Sequence, residues 1–261
     1  MNRINQLFAS NPHNLLSIYF CAGCPTFDGT ARVIRTLEQH GVNMIEIGIP
    51  FSDPMADGVV IQEAATRALK NGMSLHRLFD QLHDIRRDVQ IPLILMGYLN
   101  PIMQFGFDAF CRACVQYGID GIIIPDLPFR DYLNDYKPVA DRYDLRIIML
   151  ITPETSEERV REIDRHTDGF IYMVSSAATT GAQQSFDGQK QAYFERIEAL
   201  GLRNPRMVGF GISNRATFDT ACAHAAGAII GSRFVTLLNE TSGDAEKAIK
   251  QLKKALCRYN T

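Results

Sequence analysis

Eight short apolar segments, each followed by a stretch with helical periodicity, are the feature that most constrains the fold of this chain. The segments are Leu16–Cys21, Met44–Ile49, Leu93–Met96, Gly121–Ile124, Ile147–Ile151, Phe170–Val174, Met207–Gly209 and Ala228–Ile230. The stretches between them are amphipathic, as at 31–38 and 157–163, and glycines such as Gly41 and Gly118 follow them as helix stops. Strict alternation of strand and helix predicts a parallel sheet.

The number of these units predicts how the sheet closes. Eight strand–helix units within 261 residues are typical of an α/β fold of the closed (β/α)8, or TIM, barrel type. An open doubly wound sheet is the alternative. Because no low-complexity or Pro/Ser-rich stretch marks a linker, we expect a single domain over residues 1–261. Residues 1–14 are predicted to be a short extra N-terminal helix and its lead-in, with Ile4–Ala9 covering the barrel floor.

Charge and hydropathy exclude several classes of protein. The formal net charge is -2 and the pI is near 6.3, so no global electrostatic attraction to nucleic acid or an anionic membrane is expected. The first residues lack the apolar segment of a secretory signal, and no apolar run approaches the roughly 20 residues of a membrane span. We therefore expect a cytoplasmic protein in which any anion is held by a local site.

The cysteines and histidines do not indicate a metal site. Two Cys-x-x-Cys pairs are present, but Cys111 and Cys114 fall on one apolar helical face, as core residues do. Cys21 and Cys24 lack His or carboxylate partners at ligand spacing. No histidine falls at the carboxyl end of a predicted strand. The sequence thus predicts no metal ligands and no histidine base.

Two carboxylates near the end of the second strand are candidate acid/base residues. Glu46 lies inside the apolar strand, where a lone carboxylate costs several kcal/mol unless it is paired, protonated or functional. A structural ion pair with Arg or Lys is the alternative for Glu46. Asp57 follows in a loop rich in Pro, Gly and Asp, where a plain turn residue is the alternative. In a TIM barrel both would lie at the catalytic end.

The ends of the last two strands predict a phosphate site. Residues 209–213 (GFGIS) lead into a helix near Asn214, and Gly231 with Ser232 opens the final helical region. Backbone N–H groups of Gly211, Gly231 and Ser232 at helix N-termini suit a phosphate dianion. Gly-x-Gly is a weak motif by itself, and Ser213 could be only a helix cap. Their occurrence at two consecutive strand ends favours phosphate binding.

Large apolar side chains at other strand ends predict a second half-site. They are Tyr19, Met96, Ile123, Tyr172 and Phe210. Each could be barrel core, but as a ring around Glu46 they could enclose a flat apolar ligand. A flat ring on one side, a phosphate on the other and carboxylates between them suggest proton transfer on an aryl-substituted sugar phosphate.

These motifs together resemble the α subunits of tryptophan synthase. Residues 46–58 (EIGIPFSDPMADG) are similar to the long strand-two motif of that family. Supporting similarities are 98–101 (YLNP), 126–128 (DLP), 209–213 and 231–232, so the resemblance covers nearly the whole chain in order.

The resemblance implies a lyase of tryptophan biosynthesis that cleaves indole-3-glycerol phosphate to indole and D-glyceraldehyde 3-phosphate. It implies that Glu46 is the acid/base and that Asp57 accepts a hydrogen bond from the indole N–H, with Tyr172 orienting the substrate. It further implies no cofactor in this chain and a pyridoxal-phosphate-dependent β subunit as partner in an α2β2 heterotetramer. Asp53, Asn100 and Pro101 match the contact region, with turn chemistry as the alternative.

The chain also departs from the family pattern. The loop at 175–181 reads SSAATTG, without the Arg and the first Gly common in the family, although its composition still predicts a mobile lid over residues 175–189. Within it, Thr180 is expected in the indole pocket and Gly181 at the phosphate. Tyr19 stands where many relatives have Phe, which adds a hydroxyl.

Two other functions are compatible with the same residues. One is a phosphate-binding barrel that acts on a different sugar phosphate. The other is a catalytically silent barrel that only activates a β subunit. Glu46 argues against this function, because a scaffold has no reason to bury a carboxylate.

Overall fold

The computed structural model describes residues 1–10, 13–175 and 188–256, and within them eight parallel strands form a closed barrel in sequence order. The strands are β1 Leu15–Cys21, β2 Met44–Gly48, β3 Leu93–Met96, β4 Gly121–Ile123, β5 Arg146–Ile151, β6 Ile171–Val174, β7 Arg206–Gly209 and β8 Gly227–Ile230. Each predicted segment therefore corresponds to one strand, with ends shifted by at most one residue. The α/β TIM-barrel prediction is confirmed, and the open-sheet alternative is wrong.

Closure depends on the pairing of the first and last strands. Leu16 of β1 is opposite Ala228 of β8, and on its other side β1 pairs with β2, where Tyr19 is opposite Glu46. Every strand thus has two parallel neighbours, so no edge exposes unpaired backbone groups. The carboxyl ends of all eight strands meet at one mouth of the barrel.

Helices connect the strands on the outside. They are α1 Arg3–Ser10, α2 Thr30–Gln39, α3 Val59–Lys70, α4 Leu75–Gln81, α5 Leu99–Phe105, α6 Phe107–Gln116, α7 Phe129–Asp131, α8 Lys137–Arg142, α9 Glu157–His166, α10 Gly188–Ala199, α11 Arg215–His224, α12 Ser232–Glu240 and α13 Ala245–Leu256. A π-helical turn at Tyr132–Tyr136 joins α7 to α8, and short 3-10 turns lie at Phe27–Gly29 and Ile85–Arg87. None of the helices in the described ranges is long and apolar enough to cross a membrane.

The barrel interior and the layer under the helices form two separate apolar clusters. The interior is filled by alternate strand residues, which point inward because side chains alternate along a strand. They include Leu15, Met44, Ile94, Ile123, Ile148, Tyr172, Met207 and Ile229. The outer cluster packs the opposite strand faces against the helices and holds the buried, unpaired thiols of Cys111 and Cys114. Ser17 and Glu46 are the polar exceptions on the first two strands.

Helix α1 closes the floor of the barrel, as predicted. Its Ile4 is fully buried and packs with Phe8 and Phe170 in the interior cluster. The fit is close, since a Cβ added to Gly121 of β4 would lie 2.7 Å from Ile4 Cδ1. The helix begins where Asn2 accepts a hydrogen bond from the Ile4 N–H.

A buried carboxylate anchors this floor. Asp120 precedes β4, is 3 % exposed, and accepts hydrogen bonds from Arg3 and Arg86 and from the backbone N–H of Leu93. The Asp120 backbone carbonyl accepts a further bond from the Asn2 side chain. Helix α1, the segment before β3 and the start of β4 are therefore held together by one residue.

Substituting Asp120 by Ala should lower the free energy of unfolding by about 3 kcal/mol, because it leaves the half-buried Arg86 without its carboxylate. Urea denaturation followed by circular dichroism measures the change. Asp88→Ala is the matched control, since Asp88 pairs with Arg35 at an exposed site and should cost less than about 1 kcal/mol. Equal losses in the two variants would contradict the anchoring role of Asp120.

Candidate functional site

A cavity opens at the mouth of the barrel, at the carboxyl ends of the strands. Its empty space, including the part open to solvent, is about 510 Å³. It is lined by Tyr19, Asp57, Ile61, Met96, Tyr172, Phe210, Gly211, Ile212, Ile229, Gly231, Ser232 and Arg233. These residues come from both predicted half-sites, which the barrel brings together.

Glu46 lies beneath the mouth, in the barrel interior. Strand β2 turns its side chain inward beside Tyr19, and the residue has no exposed surface. The Ser17 hydroxyl donates a hydrogen bond of 3.0 Å to Glu46 Oε1, whereas Oε2 has no hydrogen-bond partner in the part of the chain that the structure describes. Among the described residues no Arg or Lys forms an ion pair with it, so the structural ion pair considered as the alternative is not found there.

This environment favours the protonated form of Glu46. Burial raises the pKa of its carboxyl from the ordinary 4.5 to about 8, and the hydrogen bond from Ser17 offsets only part of that effect. At neutral pH the group therefore holds a proton that it can give to a ligand and later take back. Such a pKa near the working pH is what a general acid/base requires.

Asp57 lies in the loop between β2 and α3. It does not cap the helix, since Gly58 occupies the N-cap position of α3. Instead, its Oδ2 accepts a hydrogen bond of 3.0 Å from the Tyr98 hydroxyl, which in turn accepts one from the Ala56 N–H. The Tyr98 ring is held against Phe51, with ring centroids 5.4 Å apart.

The ionisation of Asp57 is set by two opposing effects. Burial raises the pKa of its carboxyl above the ordinary 3.8, and the hydrogen bond from Tyr98 offsets part of that rise. The Tyr98 hydroxyl thus favours the charged form of Asp57 at the cavity wall. A carboxylate in this position can accept a hydrogen bond from a ligand N–H or stabilise developing positive charge.

The ends of β7 and β8 form the polar side of the cavity. Phe210 and Gly211 have consecutive positive φ angles of 69° and 79°, and the Ser175 hydroxyl donates a hydrogen bond of 2.6 Å to the Phe210 carbonyl. A left-handed backbone is strained for a bulky residue such as Phe, and here it turns the chain sharply at the end of β7. Gly231 caps α12, which begins at Ser232, so backbone N–H groups lie at the cavity.

Two tyrosines enter the cavity over glycines of the next strand. A Cβ on Gly48 would lie 2.2 Å from the Tyr19 hydroxyl oxygen, and one on Gly209 would lie 2.2 Å from that of Tyr172. Glycine is therefore required at both strand ends for these rings to lie flat against the barrel. Tyr172 also contacts Phe210 edge to face, with centroids 6.1 Å apart.

Most of the residues predicted from the sequence meet at this cavity. Those that line it are Tyr19, Asp57, Met96, Tyr172, Phe210, Gly211, Gly231 and Ser232, with Glu46 below them. Ile123 does not line it, because its side chain is fully buried in the barrel interior. Thr180 and Gly181, and the predicted lid apart from residues 175, 188 and 189, lie outside the described residues.

The residues predicted at a partner interface lie on one side of the mouth. Asp53 and Asn100 are exposed, and Pro101 is partly buried in a groove that Phe51 also lines. Large apolar side chains are exposed beside them on the same segments, namely Met55 at 81 %, Val59 at 67 % and Met103 at 56 %. Clustered apolar side chains at a surface are typical of a docking site.

Sequence reasoning missed the roles of Ser17, Tyr98 and Arg233. Ser17 is the polar residue within an otherwise apolar strand, two positions before Tyr19 and so on the same inward face, which is a usable signal. Tyr98 is the first residue of the 98–101 family motif, but nothing in the sequence connects it to Asp57. Arg233 directly follows the phosphate motif, and its proximity to the cavity was not inferred.

The described part of the chain contains no group of three or more His, Cys, Asp and Glu residues that could hold a metal ion. Five cysteines in that part, including Cys21 and Cys24, are unpaired thiols. The polar groups of the residues that line the cavity are instead a carboxylate, tyrosine hydroxyls, the guanidinium of Arg233 and the N-terminus of α12. These groups suit proton transfer and anion binding.

Comparison with known proteins agrees with this geometry. A family model described as tryptophan synthase alpha chain matches residues 5–260. The tryptophan synthase alpha chain of Bacteroides fragilis is 77 % identical over 256 residues, which are 98 % of this chain and 97 % of that protein.

Solved structures give the same result. The tryptophan synthase subunit alpha of Legionella pneumophila superposes with a TM-score of 0.86 at 33 % identity, covering 98 % of both chains. A chain of the tryptophan synthase complex of Pyrococcus furiosus superposes with a TM-score of 0.82 at 32 % identity, covering 94 % of this chain and 98 % of that one. The protein therefore belongs to the family of tryptophan synthase alpha chains.

Proposed function

We propose that this chain is the alpha subunit of a tryptophan synthase and catalyses the retro-aldol cleavage of indole-3-glycerol phosphate to indole and D-glyceraldehyde 3-phosphate. One observation carries the proposal. The carboxyl of Glu46 is buried beneath the cavity, and its Oε2 has no hydrogen-bond partner among the described residues. Asp57 and the N-terminus of α12 line the same cavity. Family membership supports a role in tryptophan synthesis. The reaction and the roles of the residues are inferred from the chemistry of the site.

Glu46 moves the proton in this mechanism. Because its raised pKa keeps it protonated at neutral pH, it can donate a proton to C3 of the indole ring, which gives a cationic indolenine. The resulting carboxylate then accepts the proton of the glycerol hydroxyl next to the ring. As that hydroxyl becomes the aldehyde, the C–C bond breaks and its electron pair restores the neutral indole, so Glu46 ends in its starting state.

Asp57 stabilises the charged intermediate. Protonation at C3 places positive charge on the indole nitrogen, and a carboxylate that accepts the N–H hydrogen bond lowers the energy of that state. The hydrogen bond from Tyr98 supports this role, because it favours ionised Asp57 and fixes the orientation of Oδ2. Burial pushes the pKa of both carboxyl groups upward, and within the described ranges the buried Oε2 of Glu46 has no hydrogen-bond partner.

The remaining contacts orient the substrate. Gly211, Gly231 and Ser232 offer backbone and hydroxyl donors to the phosphate, a role that Gly181 shares in this proposal. Tyr19, Met96 and Phe210, which line the cavity, are the proposed contacts of the indole ring, and Ile123 forms the packed layer below them. Tyr172 is proposed to orient the ring, and Thr180 is proposed as a further indole contact. The chain needs no metal or cofactor of its own for this reaction, since the protonated indole is the electron sink.

A pyridoxal-phosphate-dependent β subunit is the proposed partner, in an α2β2 heterotetramer. The Pyrococcus furiosus neighbour is described as part of a tryptophan synthase complex, which supports a multi-subunit assembly in this family. On this chain the exposed Asp53 and Asn100, with Pro101 and the apolar Met55 and Met103, form the proposed contact surface. The surface adjoins the Asp57 loop, so docking there can affect the site.

Replacing Glu46 by Gln should lower the rate of indole release from indole-3-glycerol phosphate at least about a hundredfold, because Gln can neither donate nor accept the proton. The chain contains no Trp, so indole fluorescence can be followed over a low background. Glu158→Gln, which neutralises an exposed carboxylate on α9, should leave the rate unchanged. A Glu46→Gln variant with the wild-type rate would refute the mechanism, whereas a silent barrel that only activates its partner would show no indole release in the wild type either.

The same substitution should change how stability depends on pH. The pKa of Glu46 is about 8 in the folded chain and near 4.5 when unfolded, so only the folded state holds this proton between those values. The free energy of unfolding should therefore fall as pH rises from 5 to 8.5, by up to about 4 kcal/mol from this group. Urea denaturation of wild type and Glu46→Gln across that range isolates the contribution; parallel curves would show that the pKa is not raised.

Binding of the β subunit should depend on the proposed contact surface. Asp53→Lys reverses a charge there and should weaken the complex at least about tenfold, together with any stimulation of indole release. Asp84→Lys makes the same change before β3, at the opposite end of the barrel, and should have no effect. Sedimentation with a β subunit of a close relative measures both, and equal affinities for the two variants would place the interface elsewhere.

A further inference from the structure

The hydroxyl of Tyr19 has no hydrogen-bond partner among the described residues. The side chain lines the cavity and is 8 % exposed. A hydroxyl at the cavity wall without a protein partner is available to a polar group of a ligand. Phe at this position would offer that ligand no such hydrogen bond.

The position of the hydroxyl is fixed by two glycines. Its oxygen lies over Gly48, the last residue of β2. Glu46 is two residues earlier on the same strand and is directly opposite Tyr19 in the strand pairing. The other edge of the ring lies against Gly231, where an added Cβ would be 3.3 Å from Tyr19 Cδ1. The side chain thus extends from the proposed phosphate site to the strand that carries Glu46.

The surroundings keep this hydroxyl neutral. Burial raises the pKa of Tyr19 well above its ordinary value, and the nearby Cys21, Asp57, Tyr98 and Glu46 act in the same direction. A neutral phenol both donates and accepts a hydrogen bond, so it can serve either role toward an aliphatic hydroxyl of the ligand. The proposed phosphate donors lie at the other edge of the ring, beside Gly231, so this hydroxyl faces the part of the ligand that follows the phosphate.

We propose that the Tyr19 hydroxyl hydrogen-bonds the glycerol chain of the substrate and so selects a polyol phosphate over an unhydroxylated alkyl phosphate. This inference rests on the proposed function, because it assumes a substrate held by its ring on one side and its phosphate on the other. The chain that joins these two groups must pass Tyr19, which lies between Gly231 and the end of β2. Sites that hydrogen-bond a substrate hydroxyl discriminate strongly against analogues that lack it.

The test compares two ligands on Tyr19→Phe. Indole-3-glycerol phosphate carries two chain hydroxyls, whereas 3-(indol-3-yl)propyl phosphate has the same ring and phosphate without them. We expect kcat/KM for the substrate to fall about tenfold, mainly through a higher KM, because the bond is present in the ground state as well. The inhibition constant of the propyl phosphate should stay within about twofold of the wild-type value, since that ligand has no hydroxyl to lose a partner.

The control is Tyr132→Phe, which removes a hydroxyl that donates to the His166 carbonyl in the outer layer and should change neither constant. Tyr19→Phe should also unfold at the same or a higher temperature than wild type, which separates a lost contact from misfolding. Equal weakening of both ligands, or an unchanged kcat/KM for the substrate, would overturn the role of Tyr19 and leave the proposed function intact. A wild-type chain unable to cleave the substrate would overturn the proposed function and this inference with it.

Discussion

The desolvation of Glu46 is the constraint on which the rest of the site depends. A carboxyl placed inside a closed barrel, with a serine hydroxyl as its hydrogen-bond donor and no cation paired with it among the described residues, is stable mainly as the neutral acid. The barrel can hold it only because the surrounding apolar residues are packed well enough to compensate. The acid that this creates lies directly beneath the mouth, and the loops after the strands supply the complementary groups around it.

The two ends of the barrel have different tasks. At the amino-terminal end, Asp120 and helix α1 make many satisfied hydrogen bonds around a packed floor. At the carboxyl end the chain tolerates an unpaired carboxyl oxygen of Glu46 and a left-handed Phe210, which the Ser175 hydroxyl holds in place. Such a separation lets one end stabilise the fold while the other keeps the strained and desolvated groups that chemistry requires.

Strand positions could be predicted from the sequence because burial on both faces leaves continuous apolar runs that Gly and Pro interrupt. The same patterns located the groups at strand ends, which share one mouth in any such barrel. They could not show that Tyr98 donates to Asp57, or that Ser17 bonds Glu46, because these contacts depend on the stagger between strands and on loop conformation. Ile123 illustrates the limit. The sequence predicts the end of β4 to within one residue, but how deeply the Ile123 side chain lies in the barrel depends on the packing around it.

The pairs Tyr19–Gly48 and Tyr172–Gly209 have a consequence for how such a site can evolve. Each tyrosine occupies the space that a side chain on the facing glycine would need, so Ala at either glycine is sterically excluded while the ring remains. The aromatic residue must shrink or move first, and only then can the glycine change. Substitutions at these strand ends are therefore ordered in time, because the matching glycine becomes free to vary only after its ring has been replaced.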